Sequence, residues 1–150
     1  MVLTVRKSPG DTLLFMQRLW DLTHAMNVRS RRMSRDLGVT GPQRIVIRMI
    51  GLMPGCSATD LAKALAMHPS TLTGILARLD RDGLIDRSVA TDDRRRSVFQ
   101  LTGKGKRIDR SHKGTAEGAI RRALTRADER IVEATRDMVD LIIAELERPD

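Results

Sequence analysis

With 150 residues, 41% of them hydrophobic and 31% charged, the chain fits one ordinary domain or two small ones sharing a core, and not a disordered segment. Lys and Arg number 27 against 19 acids, a net charge of +8 that attracts polyanions, nucleic acid before an anionic membrane surface, unless it serves only solubility. A single cysteine, Cys56, excludes an internal disulfide and a cysteine-rich zinc site, and the lack of Tyr beside one Trp and two Phe favours packed helices over a β-sandwich.

The opening MVLTVRKSPG has no apolar stretch fit for a signal peptide, and no later segment is long enough to span a bilayer, so a cytoplasmic location is expected. After Pro9-Gly10, Asp11 or Thr12 caps a helix over 11–36 that Gly38 stops. Phe15, Leu19, Leu22 and Met26 form one apolar stripe on it; Leu13, Met16 and Trp20 form a second. A helix apolar on two sides is buried on two sides, here against its own chain and a partner. Thr40 or Gly41 ahead of Pro42 opens a second helix, ended by Pro54-Gly55, with Ile45, Met49 and Leu52 at helical spacing. Ser57 and Asp60 have capping-box spacing at the start of a third, where Leu61 and Leu65 face inward and Cys56 reads as a small buried filler.

The sharpest helix covers 69–82, from Pro69 to the stop at Gly83, with Leu72, Ile75, Leu76 and Leu79 in one stripe. LIDRSVA and SVFQL then alternate like strands and are joined by TDDRRR, a hairpin with a charged tip. The stretch 103–147 is helical with a break near Thr125, where Thr125 and Asp128 repeat the capping-box spacing. Ile131, Ala134, Met138, Leu141, Ile142 and Leu146 line an apolar face beyond it.

The helix 69–82 carries the clearest functional signal. Opposite Leu72, at 100° per residue, lie Ser70, Gly74, Ala77 and Arg81, flanked by Thr71, Thr73 and Arg78. Small residues let a helix lie close to another surface, hydroxyls bond phosphates and base edges, and Arg forks onto guanine. A polar solvent face is the bland reading. With 57–66 and a short turn at Met67-His68, however, the helix completes a helix–turn–helix as its recognition helix, and His68 either contacts DNA or caps it. The basic-tipped hairpin makes the unit a winged helix. At the tip Asp92 and Asp93 precede Arg94, Arg95 and Arg96. An acid facing DNA weakens binding, so Asp93 is expected to bond a guanidinium or loop amides and thereby orient Arg95 for a narrow minor groove.

DLAKALAMHPSTLTGILARLDRDGLIDR followed by DDRRRSVFQLTGKG closely resembles the MarR (multiple antibiotic resistance regulator) family of winged helix–turn–helix transcription factors. Asp93, Arg95, Leu101-Thr102 and Gly105 match its wing pattern, and Gly83–Arg87 match the entry to the first wing strand. The resemblance implies a mainly α fold with a small β-hairpin wing. A winged core over 40–102 would be flanked by dimerisation helices over 11–36 and 103–147, within a single 1–150 chain. It further implies an obligate homodimer on a pseudo-palindrome of double-stranded DNA, usually a repressor. A small molecule, phenolic or otherwise anionic or lipophilic, would release it from a crevice for which Trp20, His24 and Met49 are candidates, packing being the alternative for each.

The DNA-contacting set is then His68, Ser70, Thr71, Thr73, Gly74, Arg78 and Arg81 on the helix, and Asp93, Arg94, Arg95 and Arg96 on the wing. His24, His68 and His112 form no ligand pair, so neither metal nor cofactor is expected. No phosphate loop, nucleophile motif or general-base pair points to an enzyme. Two other classes stay open: a nucleic-acid-binding structural protein without sequence choice, and a winged helix that binds only protein.

Overall fold

The computed structural model describes residues 9–149, in two compact units, one up to Ala116 and one from Glu117 onward. The sequence reading of MVLTVRKS as free of a signal lies outside the described residues.

The first unit is built on helix α1 (Pro9–Leu37), α2 (Gly41–Leu52), α3 (Ala58–Leu65), α4 (Pro69–Arg81) and α5 (Gly103–Arg110), with strands β1 (Cys56–Ser57), β2 (Ile85–Val89) and β3 (Ser97–Leu101). Helix α1 begins two residues ahead of the expected Asp11 or Thr12 cap and ends at Gly38, whose φ of +73° no side chain would favour. The two apolar stripes on α1 are largely uncovered: Leu13, Trp20 and Leu22 each expose more than half of their surface. Its C-terminal part is held through buried Met33 and through Ser30 Oγ, which accepts from the Gly41 amide at 2.8 Å.

Thr40 caps α2 in a full capping box with Gln43. Its core face is Val46, Ile47 and Ile50, while Ile45 and Leu52, singled out by spacing, point to solvent and Met49 is half-buried. The apolar residues of this helix spread over more than half of its circumference, so spacing alone left two stripes to choose between. Buried Arg44 donates from its guanidinium to the carbonyls of Ile108, Asp109 and Ser111, placing a cation at the C-terminal end of α5, where the helix dipole is negative. Arg48 Nη1 meets Asp109 Oδ1 at 2.6 Å beside Gly51, whose missing Cβ leaves room for that carboxylate.

The Ser57–Asp60 capping box forms as the spacing indicated. Helix α3 ends at Ala66 in the left-handed region, and α4 follows with His68 as N-cap. Leu72, Ile75, Leu76 and Leu79 are buried against Val46, Ile47, Ile50 and Leu61; full burial stabilises by roughly 1.5–3 kcal/mol per such side chain. The sheet is antiparallel in the order β1-β3-β2, with Ile85 opposite Leu101, Val89 opposite Ser97 and Cys56 opposite Phe99. Buried Cys56 therefore belongs to a strand, not to the start of α3, and desolvation pushes its thiol up from the usual range.

The wing is anchored where it leaves and rejoins the helices. Gly83, at φ +68°, ends α4, and the Leu84 amide reaches back to the Leu79 carbonyl at 2.9 Å. Thr102 Oγ1 donates to the Gly83 carbonyl at 2.8 Å and its amide to the Leu84 carbonyl at 3.2 Å, while Lys104 Nζ holds the Asp82 carbonyl at 2.9 Å. Gly105 lies so near that a Cβ there would sit 2.0 Å from the Leu84 oxygen.

The second unit holds α6 (Ala116–Leu124) and α7 (Glu129–Leu146). The chain thus breaks at 111–115 as well as near 125, and the N-cap of α7 is Asp128, which accepts from the Arg130 amide; Thr125 instead donates to the Arg122 carbonyl. Helix α7 buries no residue, and Ile131, Leu141 and Leu146 stand well exposed.

Gly105→Ala is expected to lower stability by about 3 kcal/mol or more, since the obstacle is backbone. Gly103→Ala, with only the far end of Arg107 near its Cβ, should stay within about 0.5 kcal/mol. Chemical denaturation of both variants checks the pair.

Candidate nucleic-acid interface

The stripe that seats α4 dictates what it shows outward. Ser70, Thr71, Thr73, Gly74, Ala77, Arg78 and Arg81 are all exposed. His68 Nδ1 accepts from the Ser70 amide at 3.3 Å and lies 2.7 Å from the Ser70 hydroxyl, so His68 caps the helix and fixes that hydroxyl at its first turn. Thr73 Oγ1 donates back to the Pro69 carbonyl and Arg81 Nε lies 3.3 Å from Asp82, leaving Thr71 and Arg78 the less engaged pair. A Cβ on Gly74 would meet nothing within 4 Å, and its φ is ordinary. Neither packing nor backbone geometry requires glycine there, although it costs a helix roughly 0.5–1 kcal/mol relative to Ala.

The wing tip closes through its two acids. Ala90 donates to the Arg96 carbonyl at 2.8 Å and Arg96 to the Asp93 carbonyl at 3.0 Å, making a tight turn. Asp93 Oδ1 accepts the Arg95 amide at 2.9 Å, an Asx-type bond, while the Arg95 Nε is 3.9 Å away and its side chain is 97% exposed. Asp93 therefore shapes the backbone beneath Arg95 more than it grips the guanidinium. The close pair is one that sequence reasoning missed: Asp92 takes two hydrogen bonds from Arg96 Nη2, at 2.9 and 3.1 Å. Those bonds hold the Asp92 carboxyl below the usual carboxylate range. Asp60 is lowered too, first by the Ser57 amide and hydroxyl and to a lesser degree by Arg96, which links the wing's charge to the cap of α3. Both depressed acids favour the fold above the carboxylate range, and that contribution fades as pH falls through it.

Between the first turn of α3, α4 and the wing root lies a cleft of about 360 Å³, with Thr59, Thr73, Arg87, Arg95, Arg96 and Ser97 in its walls. Arg87 Nε donates to Ser97 Oγ at 2.9 Å. The cations stand on the wing side alone, and the helix side offers the hydroxyls of Thr59 and Thr73 together with the carboxylate of Asp80, so a phosphate would meet its charge partners from the wing. Arg94 stands on the outer side of the tip, beside Val89 and Thr91. The span of α4 and the wing is nonetheless close to neutral, with six arginines against five aspartates over residues 69–97.

Trp20 and His24 sit one turn apart on the exposed part of α1, and Met49 on α2. The cleft beside α4 and the groove along α6 and α7 are lined by other residues. Among the described residues, no group of three His, Cys, Asp or Glu is placed to hold a metal, and no helix is long and apolar enough to cross a membrane.

Residues 37–96 match the model of the MarR family. The HTH-type transcriptional repressor Rv2887 of Mycobacterium tuberculosis is 27% identical over 90 residues, 60% of this chain and 65% of that one, so the match spans just under two thirds of the relative. A probable transcriptional regulator from Pseudomonas aeruginosa superposes with a TM-score of 0.64 at 26% identity, covering 86% of this chain and 98% of that one. The MepR–DNA complex of S. aureus gives 0.71 at 20% identity over 93% and 99%, a likeness of fold.

Gly74→Ala is expected to raise the unfolding free energy by about 0.5–1 kcal/mol, read as a higher Tm. A loss of stability would show that the free chain does need the glycine.

Proposed function

We propose, from the match of residues 37–96 to the model of the MarR family, that the chain is a MarR-type sequence-specific transcriptional regulator that works by binding double-stranded DNA. The observation that carries this reading is the outward face of α4. It is small and hydroxyl-rich at its centre, includes a glycine for which the fold has no use, and is followed directly by an arginine-tipped wing. In the bound state α4 lies in a major groove. Ser70, Thr71, Thr73, Arg78 and Arg81 face bases and phosphates, Gly74 and Ala77 permit close approach, and His68 stands at the helix end nearest the backbone. The wing reaches an adjacent minor groove with Arg94 and Arg95, while Asp92, Asp93 and Arg96 keep its tip in shape.

The regulator acts as a homodimeric repressor in the cytoplasm. Exposed Leu13, Trp20 and Leu22 on α1, and Ile131, Leu141 and Leu146 on α7, are more apolar surface than a soluble monomer leaves uncovered, and a second copy is the occupant that a family of dimers supplies. Two symmetry-related α4 helices then sit about one DNA turn apart, roughly 34 Å, and select an inverted repeat. Relief by a small anionic or lipophilic effector belongs to the same reading, with Trp20, His24 and Met49 as the residues to test.

Arg95→Ala should weaken binding to duplex DNA about tenfold while leaving the dimer intact, as measured by fluorescence anisotropy and light scattering. Gly74→Ala should also bind more weakly despite its greater stability, because the added methyl meets the groove. Leu141→Glu should shift the mass in solution from two chains toward one. Unchanged DNA affinity in both Arg95→Ala and Gly74→Ala would favour the protein-binding winged helix instead.

A further inference from the structure

The charge that sets this chain apart is not on its reading face. Residues 69–97 carry an excess of only one cation, whereas the seven residues 29–35 of α1, RSRRMSR, hold four arginines and no acid. At 100° per residue, Arg29, Arg31, Arg32 and Arg35 fall within an arc of about 160°, which also takes in exposed Asp36, so the face carries four cations against one acid. Met33 and Ser30, which face α2, lie outside that arc; Met33 is 1% exposed and Ser30 bonds the Gly41 amide. Arg31, Arg32 and Arg35 are exposed and Arg29 half-buried. None of the four side chains makes a hydrogen bond or ion pair among the described residues.

Folding does not account for this arrangement. Arg29 with Arg32, Arg32 with Arg35, and Arg31 with Arg35 are like charges at i,i+3 and i,i+4, spacings that destabilise a helix. The helix dipole favours a cation only in the last turn, and there it serves Arg35 alone. Solubility is ordinarily met by Lys and Glu interspersed. Arginine's planar fork suits phosphate oxygens, and a row of unpaired forks suits a repeating polyanion. The ridge is in the same unit as α4, with α2 packed against both helices.

We propose that the arginine face at 29–35 of α1 is a second nucleic-acid surface that grips the phosphate backbone of the duplex read by α4. The inference rests on the DNA-binding reading above. It divides the labour: α4 and the wing, nearly neutral, choose sequence, while α1 supplies affinity without sequence choice.

The test is the salt dependence of binding to mixed-sequence duplex DNA, measured by anisotropy on the full chain. Arg32→Gln with Arg35→Gln should lower the slope of log K against log salt by nearly one unit per arginine, and Arg32→Lys with Arg35→Lys should largely keep it. Circular dichroism should show both variants folded, since neither side chain is buried. If the Gln pair keeps the wild-type slope while Arg95→Ala weakens binding, the ridge proposal is overturned and the DNA reading stands. If the Gln pair loses binding to anionic phosphatidylglycerol vesicles and keeps its DNA slope, the partner is a membrane and the proposal is again overturned. Wild-type chain that binds no duplex at any salt overturns both.

Discussion

Four residues after the wing, a glycine has its backbone pressed against a carbonyl oxygen, and the placement of the wing relative to α4 depends on that contact. A Cβ at Gly105 would lie 2.0 Å from the Leu84 oxygen. Around the same point Thr102 bonds Gly83 and Leu84, and Lys104 bonds Asp82. The end of α4, both ends of the wing and the first turn of α5 therefore meet in one hydrogen-bonded knot. A hairpin held only at its own turn would swing freely relative to the preceding helix. This one is fixed at its root, so the tip arginines keep a constant relation to the outward face of α4. Gly83, Thr102 and Gly105, read first as parts of a wing pattern, have their physical reason in this junction.

On the DNA-binding reading proposed above, recognition and grip are separated in the chain. On the reading side, acids sit among the arginines and do conformational work: Asp93 fixes the turn under Arg95, and Asp92 closes on Arg96. That ordering spends positive charge, leaving a face with one excess cation. A nearly neutral face discriminates, because its energy comes from fitted contacts more than from attraction to any phosphate. Four arginines without a side-chain partner lie on α1, and five cations against one acid lie over 103–113. On that reading a polyanion is attracted mainly by surfaces other than the one proposed to read it.

Much of this was legible in the sequence where local chemistry decides. The stripe of α4, the capping box at Ser57, the stop at Gly83 and the two wing strands needed only spacing and turn residues. What was illegible was decided by tertiary pairing. Cys56 and Ser57 are too short a strand to show any period, and exist as one because Phe99 and Val98 lie alongside. On α2, Ile45 and Val46 are equally apolar, and only the position of α4 and α3 decides that Val46 goes inward. The partner of Arg96 depends on the closure of the tip turn, which no spacing rule specifies. Thr125 and Asp128 both lie in capping spacing, and Asp128 prevails because its carboxylate meets the Arg130 amide.

The most direct measurement is selection of bound sequences from a random duplex pool at near-physiological salt. The account predicts an enriched inverted repeat with half-sites about one helical turn apart. Tight binding without enrichment would contradict it, leaving a basic winged helix that holds DNA without reading it.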